Sequence, residues 1–148
     1  MAILFLEKSP GFTLRKKRKL KKWIRETVQM ENRFCGDITF VFECDEEVYR
    51  INLKYLKHDW YTDVISFDYG EENKVGGDII ISVDRVRENA NKYEVSFEKE
   101  IRRIMIHGIL HLAGYDDGNE EEKKRMTRLE DKYLALWQKM EEQEDGKV

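Results

Sequence analysis

Two rhythms of apolar and polar positions run along the chain. Residues 2–6 form a short apolar run, and residues 38–44 (ITFVFEC) are rich in β-branched and aromatic side chains; both predict strands. Residues 64–68 (VISFD) and 78–82 (DIIIS) predict two more, joined by a polar stretch at 70–76 that reads as a hairpin loop. Three consecutive isoleucines in the last strand imply burial on both faces. Elsewhere the period changes to that of a helix. Pro10 and Gly11 turn the chain into a helix over 13–32, with Thr13 as N-cap and Leu14, Leu20, Trp23, Ile24 and Val28 as its apolar stripe. Asp45 is the expected cap of a helix reaching about Leu56, and Asp84 of one reaching about Tyr93. Ser96 caps a helix over 97–113 that stops at Gly114, a natural residue just past a helix end. A last helix over 120–142 carries Met126, Leu129, Tyr133, Leu136, Trp137 and Met140 on one stripe. The order β-α-β-α-β-β-α-α-α predicts an α+β fold, a small mixed sheet of about four strands packed with about five helices.

The 148 residues, 41% of them hydrophobic, suffice for one domain with a real core, so residues 1–148 are expected to form a single domain. No apolar run approaches the roughly 20 residues that span a bilayer, and the first residues lack the features of a secretory signal. Cys35 and Cys44 form no CxxC pair, which argues against a disulfide framework and for a reducing cytoplasm.

The net charge of −3 conceals an asymmetry. Residues 1–60 carry 13 Lys and Arg against 9 Asp and Glu, whereas residues 61–148 carry 14 against 21. Arg15, Lys16, Lys17, Arg18, Lys19, Lys21, Lys22 and Arg25 put eight cations into eleven residues, a footprint that a polyanion prefers. The same cations also fit the solvated face of the amphipathic helix. The acidic end of the chain, Glu141, Glu142, Glu144 and Asp145, reads as a frayed, solvated helix terminus.

The chemistry concentrates in IRRIMIHGILHLA, residues 101–113. From Ile104 onward this helix is apolar nearly all round, hence buried, yet it holds His107 and His111. Four residues apart, the two imidazoles share one face, a standard way to give one metal two nitrogen ligands. The bland alternative is a pair of core histidines satisfied by carbonyls or hydroxyls. Against it, Gly114 lets the chain turn back and brings Asp116 and Asp117 to where a carboxylate could join the site. The string H-x3-H-x2-G-x2-D has metzincin spacing apart from its last ligand. Gly108 stands where a metzincin has its general-base Glu, and no Met-turn is evident, so peptide hydrolysis is disfavoured.

These residues resemble a known family. HGILHLAGYDD is similar to the H-G-x-L-H-L-x-G-Y-D-H signature of the YbeY family of bacterial endoribonucleases and ribosomal RNA maturation factors. Thr62–Phe67 resembles its T-D-V-L-S-F block and Gly77–Ser82 its G-D-I-x-I-S block, with Asn52 and Tyr55 fitting the stretch before them. The resemblance implies one divalent metal per chain, Zn²⁺ by preference, held by His107, His111 and Asp117. Here Asp117 replaces the family's third His; two His and one carboxylate are an ordinary catalytic set but also suit iron and other divalent ions. Leu56 replaces an Arg that many members carry, with Lys57 and His58 beside it; His58 itself reads as a surface-loop residue.

The implied function is cleavage of single-stranded RNA, in maturation of the small-subunit ribosomal RNA 3′ end and in ribosome quality control. RNA and the ribosome are the expected partners; neither DNA nor a membrane is. The cations from Arg15 to Arg25, with Lys57, are the candidate RNA contacts. With Gly108 in place of a base, the proton acceptor stays open between a hydroxide, Asp116 and a substrate 2′-hydroxyl. Two rival classes are a zinc-dependent peptidase and a non-enzymatic ribosome assembly factor with a structural metal.

Overall fold

The computed structural model describes residues 2–145, the side chain of Asp145 excepted. Its elements are β1 (Ile3–Glu7), α1 (Lys17–Met30), β2 (Phe34–Glu43), α2 (Asp45–Leu56), β3 (Val64–Asp68), β4 (Lys74–Ser82), α3 (Val83–Tyr93), α4 (Phe97–Leu112) and α5 (Glu120–Asp145). The four strands form one mixed sheet in the order β1-β2-β4-β3. β1, β2 and β4 run parallel, as their helical crossovers require, and β3 pairs antiparallel with β4 as the expected hairpin. The α+β expectation holds in its counts as well as its class.

Alternation along the strands assigns the two faces. Ile38, Phe40 and Phe42 of β2 and Ile79 and Ile81 of β4 enter the main core with Trp23, Ile24, Ile104, Met105 and Tyr133. On the opposite face Ile80 packs with Ile65 and with Val48 of α2. The three successive isoleucines are therefore buried on both sides, the mark of a central strand. α1 and α5 are stitched together inside the core, where Trp23 Nε1 donates to the Tyr133 carbonyl at 2.7 Å.

Several boundaries differ from the sequence expectation. Helix α1 starts at Lys17 rather than Thr13: the preceding segment is tied to β1 through the Leu14 amide, which donates to Glu7, and Lys16 takes a left-handed conformation. β2 and β4 each begin four residues early, because Phe34 and Cys35 pair with Lys74 and Val75 across a bulge. Residues 74–77 read as loop because Gly76 and Gly77 carry no strand signal; a Cβ on Gly77 would lie 2.1 Å from the Phe67 carbonyl oxygen, so the glycine permits the close approach of β3.

The expected caps Asp45 and Asp84 act across helices instead. Ser82 caps α3 by accepting from the Arg85 amide, while Asp84 Oδ2 accepts from the Asp45 amide at 2.7 Å. Asp45 Oδ1 in turn accepts from the Ser82 hydroxyl and Arg85 Nε. Asp84 thus satisfies an orphan amide at the start of α2, and Asp45 ties the start of α3 to it through side chains. Ser96 caps α4 as expected, and Asn119 with Glu122 forms a reciprocal capping box at α5.

Two carboxylates of the acidic end are paired rather than left to solvent; Glu142 is exposed as expected, and the Asp145 side chain lies outside the described residues. Glu141 pairs with Lys16 and Lys19 at 2.7 and 2.8 Å, and Glu144 with Lys19 at 2.8 Å. Three of the eight clustered cations, Lys16, Lys17 and Lys19, therefore hold carboxylates, Lys17 that of Glu7.

Two measurements test this packing. Gly108 is buried, and a Cβ there would lie 2.6 Å from Cγ2 of Ile79, a stiff β-branched neighbour. Gly108→Ala should therefore cost about 1–3 kcal/mol by urea unfolding, against the roughly 1 kcal/mol gain of an ordinary helical Gly→Ala change. With Ile79→Ala present, the added cost should fall. Hydrogen bonds from Lys16 and then Lys19 hold the Glu141 carboxyl at about 2, below its usual 4.5. The pairing stabilises the fold above pH 4.5 and is lost as the pH falls toward 2. Glu141→Gln should cost up to about 1 kcal/mol at neutral pH, and the deficit should shrink in acid.

Candidate metal centre

Helix α4 is seated on the central strand so closely that a Cβ at 108 would run into Ile79, and beside this contact a partly exposed flank of the helix faces outward over β3 and the 57–63 loop. His107 and His111, on that outward face near the end of the helix, stand with ring centroids 4.6 Å apart and Nε2 atoms 3.0 Å apart. Beyond the helix the chain reverses at Gly114, whose φ of +100° is open to glycine at low cost. The Gly114 and Tyr115 amides donate back to His111 and Leu110 carbonyls, closing the helix end. The returning chain brings Asp117 Oδ2 to 3.3 Å from His107 Nε2 and Oδ1 to 3.6 Å from His111 Nε2. One donor atom from each of His107, His111 and Asp117 lies within 4.8 Å of the others. Asp116 is exposed and outside this group.

The outer nitrogens decide what the inner ones can do. Nδ1 of His111 lies 2.9 Å from the Tyr115 carbonyl oxygen, which can only accept, so this nitrogen carries a proton. Nδ1 of His107 lies 2.6 Å from Oε2 of the buried Glu130, which accepts in the same way. In the neutral rings both Nε2 atoms therefore present lone pairs to each other and to a carboxylate. Three electron donors converging in this way repel unless a cation sits among them. Zinc bonds of about 2.0–2.1 Å imply a tetrahedral edge of about 3.3 Å, and the observed separations of 3.0, 3.3 and 3.6 Å bracket that value. The residues fit a divalent ion.

Each histidine has a partner within the protein on its outer nitrogen. Behind them runs a chain of charges. Arg103 donates to Glu130 Oε1 at 3.2 Å and grips Glu100 at 2.5 and 2.9 Å; Asn89 links Glu100 to Asp63. Burial opposes the charge on Arg103, yet its hydrogen bonds to Glu100 outweigh this and hold it firmly protonated. Glu130 was missed in the sequence, although a signal was present. It falls on the buried stripe Met126, Glu130, Tyr133, Trp137, Met140, where a carboxylate has no business without a partner.

The centre opens into a cleft of about 540 Å³ between α4, β3 and the 57–63 loop. Among the described residues no lysine or arginine lines it; Asp63, Asp68 and Asp117 do, as do Leu56, His58 and Trp60. Lys57 is exposed at the end of α2, beside the cleft by sequence but not lining it. His58, expected as a surface-loop residue, is half-buried on the cleft wall. The basic cluster lies on another face, where Lys16, Arg18, Lys19, Lys22 and Arg25 border a groove against the end of α5.

Comparison with known proteins gives the family. Residues 8–138 match the family model described as endoribonuclease YbeY. A protein of that name from Christiangramia forsetii is 45% identical over 126 residues, 85% of this chain and 88% of the relative. One from Parabacteroides distasonis is 39% identical over 136 residues, 92% and 96% of the two chains. The solution structure of a protein from Thermotoga maritima, 30% identical, superposes with a TM-score of 0.69 over 99% of this chain and 97% of that one. A matched span that takes in the histidine pair, Asp117 and Glu130, with identity sustained over most of both chains, places this chain in the YbeY endoribonuclease family.

Proposed function

We propose that this chain is a metal-dependent endoribonuclease that cuts single-stranded RNA in the maturation of ribosomal RNA, acting as one domain in the cytoplasm. One observation carries the metal dependence: two imidazole lone pairs and a carboxylate converge within a cleft, with both outer nitrogens already committed to acceptors. His107, His111 and Asp117 would hold the ion, Zn²⁺ being the best match to two nitrogens and one oxygen. When bound, the ion supplies Lewis acidity toward a phosphoryl oxygen and a more acidic water.

The protein's own part is orientation and charge. Glu130 and the Tyr115 carbonyl fix both tautomers so that each Nε2 faces the ion position. Tyr115 is itself anchored, its hydroxyl donating to Glu31 at 2.5 Å. Asp117 offsets one of the two positive charges. The other charged residues of the cleft wall, Asp63 and Asp68, are acidic, so a phosphodiester gains electrostatic attraction only at the metal-loaded ligand cluster, which directs the backbone to that point. Positions held by carboxylates elsewhere in the cleft repel phosphates. The cations Arg15, Arg18, Lys21, Lys22 and Arg25 are proposed to serve flanking RNA or the ribosome at longer range. The peptidase alternative loses ground because position 108 faces Ile79 rather than the cleft, so no side chain there could act as its base.

A labelled single-stranded RNA and casein, each incubated with and without chelator, test the reading. RNA cleavage should vanish with chelator and return with Zn²⁺, and casein should stay intact; chelator-sensitive proteolysis with inert RNA overturns it. Glu130→Gln should weaken metal affinity about 10–100-fold in competition with a chromogenic chelator, while His111→Ala should abolish stoichiometric binding with its circular dichroism unchanged.

A further inference from the structure

The 57–61 segment holds aromatic side chains that the metal centre does not use. His58 and Trp60 line the same cleft as His107, His111 and Asp117. Their rings are stacked, with centroids 4.2 Å apart and planes 15° from parallel. Trp60 is nonetheless 56% exposed, whereas Trp23 and Trp137 are 0% and 3% exposed. With one face against His58, the exposed area of the indole belongs to its other face and edge.

A large ring left in water needs a reason, and its support is rigid. Lys57 takes a left-handed conformation that ends α2, and the His58 amide donates to the Asn52 carbonyl at 3.1 Å. The buried Asn52 side chain donates to the Trp60 carbonyl at 2.9 Å. On either side of Trp60, Asp59 accepts from the Tyr49 hydroxyl, and the Tyr61 hydroxyl donates to Glu46 at 2.7 Å. Tyr49 and Tyr61 stack on each other with centroids 4.5 Å apart. The loop is thus pinned through its backbone and its neighbours, and the Trp60 ring itself carries none of these anchors. Such preorganisation lowers the entropy cost of capturing a flat ligand.

We infer that the His58–Trp60 pair is a stacking platform for one base of the RNA strand whose phosphate lies at the metal centre. The inference rests on the endoribonuclease reading and adds a substrate-positioning contact to it. Single-stranded RNA offers unstacked bases that proteins hold on aromatic faces, and such stacking tolerates any base. The acidic wall of the cleft gives phosphates little purchase away from the ligand cluster, so an uncharged, flat contact is the kind that can hold the neighbouring nucleotide there.

Because Trp23 and Trp137 are buried, acrylamide quenching of intrinsic fluorescence reports on Trp60. In the metal-loaded protein a short single-stranded oligoribonucleotide should shield Trp60 from acrylamide. Trp60→Ala should raise KM for RNA cleavage by about 5–150-fold with a much smaller change in kcat, and Trp60→Phe should restore most of the loss. Substrates carrying abasic residues near the scissile bond should abolish the difference between Trp60→Ala and the unaltered protein. If the unaltered protein cleaves RNA while Trp60 stays quenchable and Trp60→Ala keeps its KM, the platform is refuted and the endoribonuclease reading stands. If the unaltered protein neither binds nor cleaves single-stranded RNA, both fall.

Discussion

The contact of Gly108 with Ile79 sets the position of nearly everything that matters chemically. α4 is the helix that closes the main core over the central strand, and at this point it approaches the strand so closely that no side chain fits between them. With the helix pressed down at Gly108, the residues beside that contact stand at the edge of the packed surface, at the rim of the core. His107 and His111 occupy that rim, one turn apart, at the end of the helix where the chain turns back with Asp117. The glycine that removes a protease's base is the glycine that seats the metal-binding helix.

A site built from two histidines and a carboxylate is only as defined as the groups behind it. Here they come from distant elements. Glu130 on α5 orients His107, the carbonyl of Tyr115 orients His111, and Arg103 on α4 neutralises Glu130 while holding Glu100. Buried carboxylates at these positions would be costly alone. Joined through Arg103 they form a network in which each charge has a partner, and the metal position is its open end. The cost of burying this network is offset by packing around it, where Trp23, Tyr133 and Trp137 lock α1 to α5.

Charge is divided by function across the surface. The charged side chains of the cleft are acidic, and the basic face lies along α1, partly neutralised by Glu141 and Glu144. The sequence showed the cation cluster plainly, but not that the acidic end of the chain returns to it: Lys16 and Glu141 are 125 residues apart, and no local pattern reports such a meeting. Likewise His58 reads as a surface-loop residue because a loop's polarity says nothing about which cleft it borders.

What the sequence determined by itself is what local periodicity and short-range spacing encode. Short apolar, β-branched and aromatic runs marked the four strands, the run of three isoleucines marked the central one, and His107, His111 and Asp117 fell within eleven residues, close enough for one helix and one turn to bring them together. Helix caps were legible only where the capping partner lay in the same turn, as at Ser96; at Asp45 and Asp84 the partners belong to another helix. Tertiary structure alone decided the strand extensions at Phe34 and Lys74, which exist because they pair with each other, and the role of Glu130, which is a polar residue on an apolar stripe until α5 lies against α4. The physical reason is the same in each case. Hydrogen bonds and charge pairs between residues far apart in the chain form only after hydrophobic burial has brought their elements together, so their partners are a property of the packed fold and not of any segment.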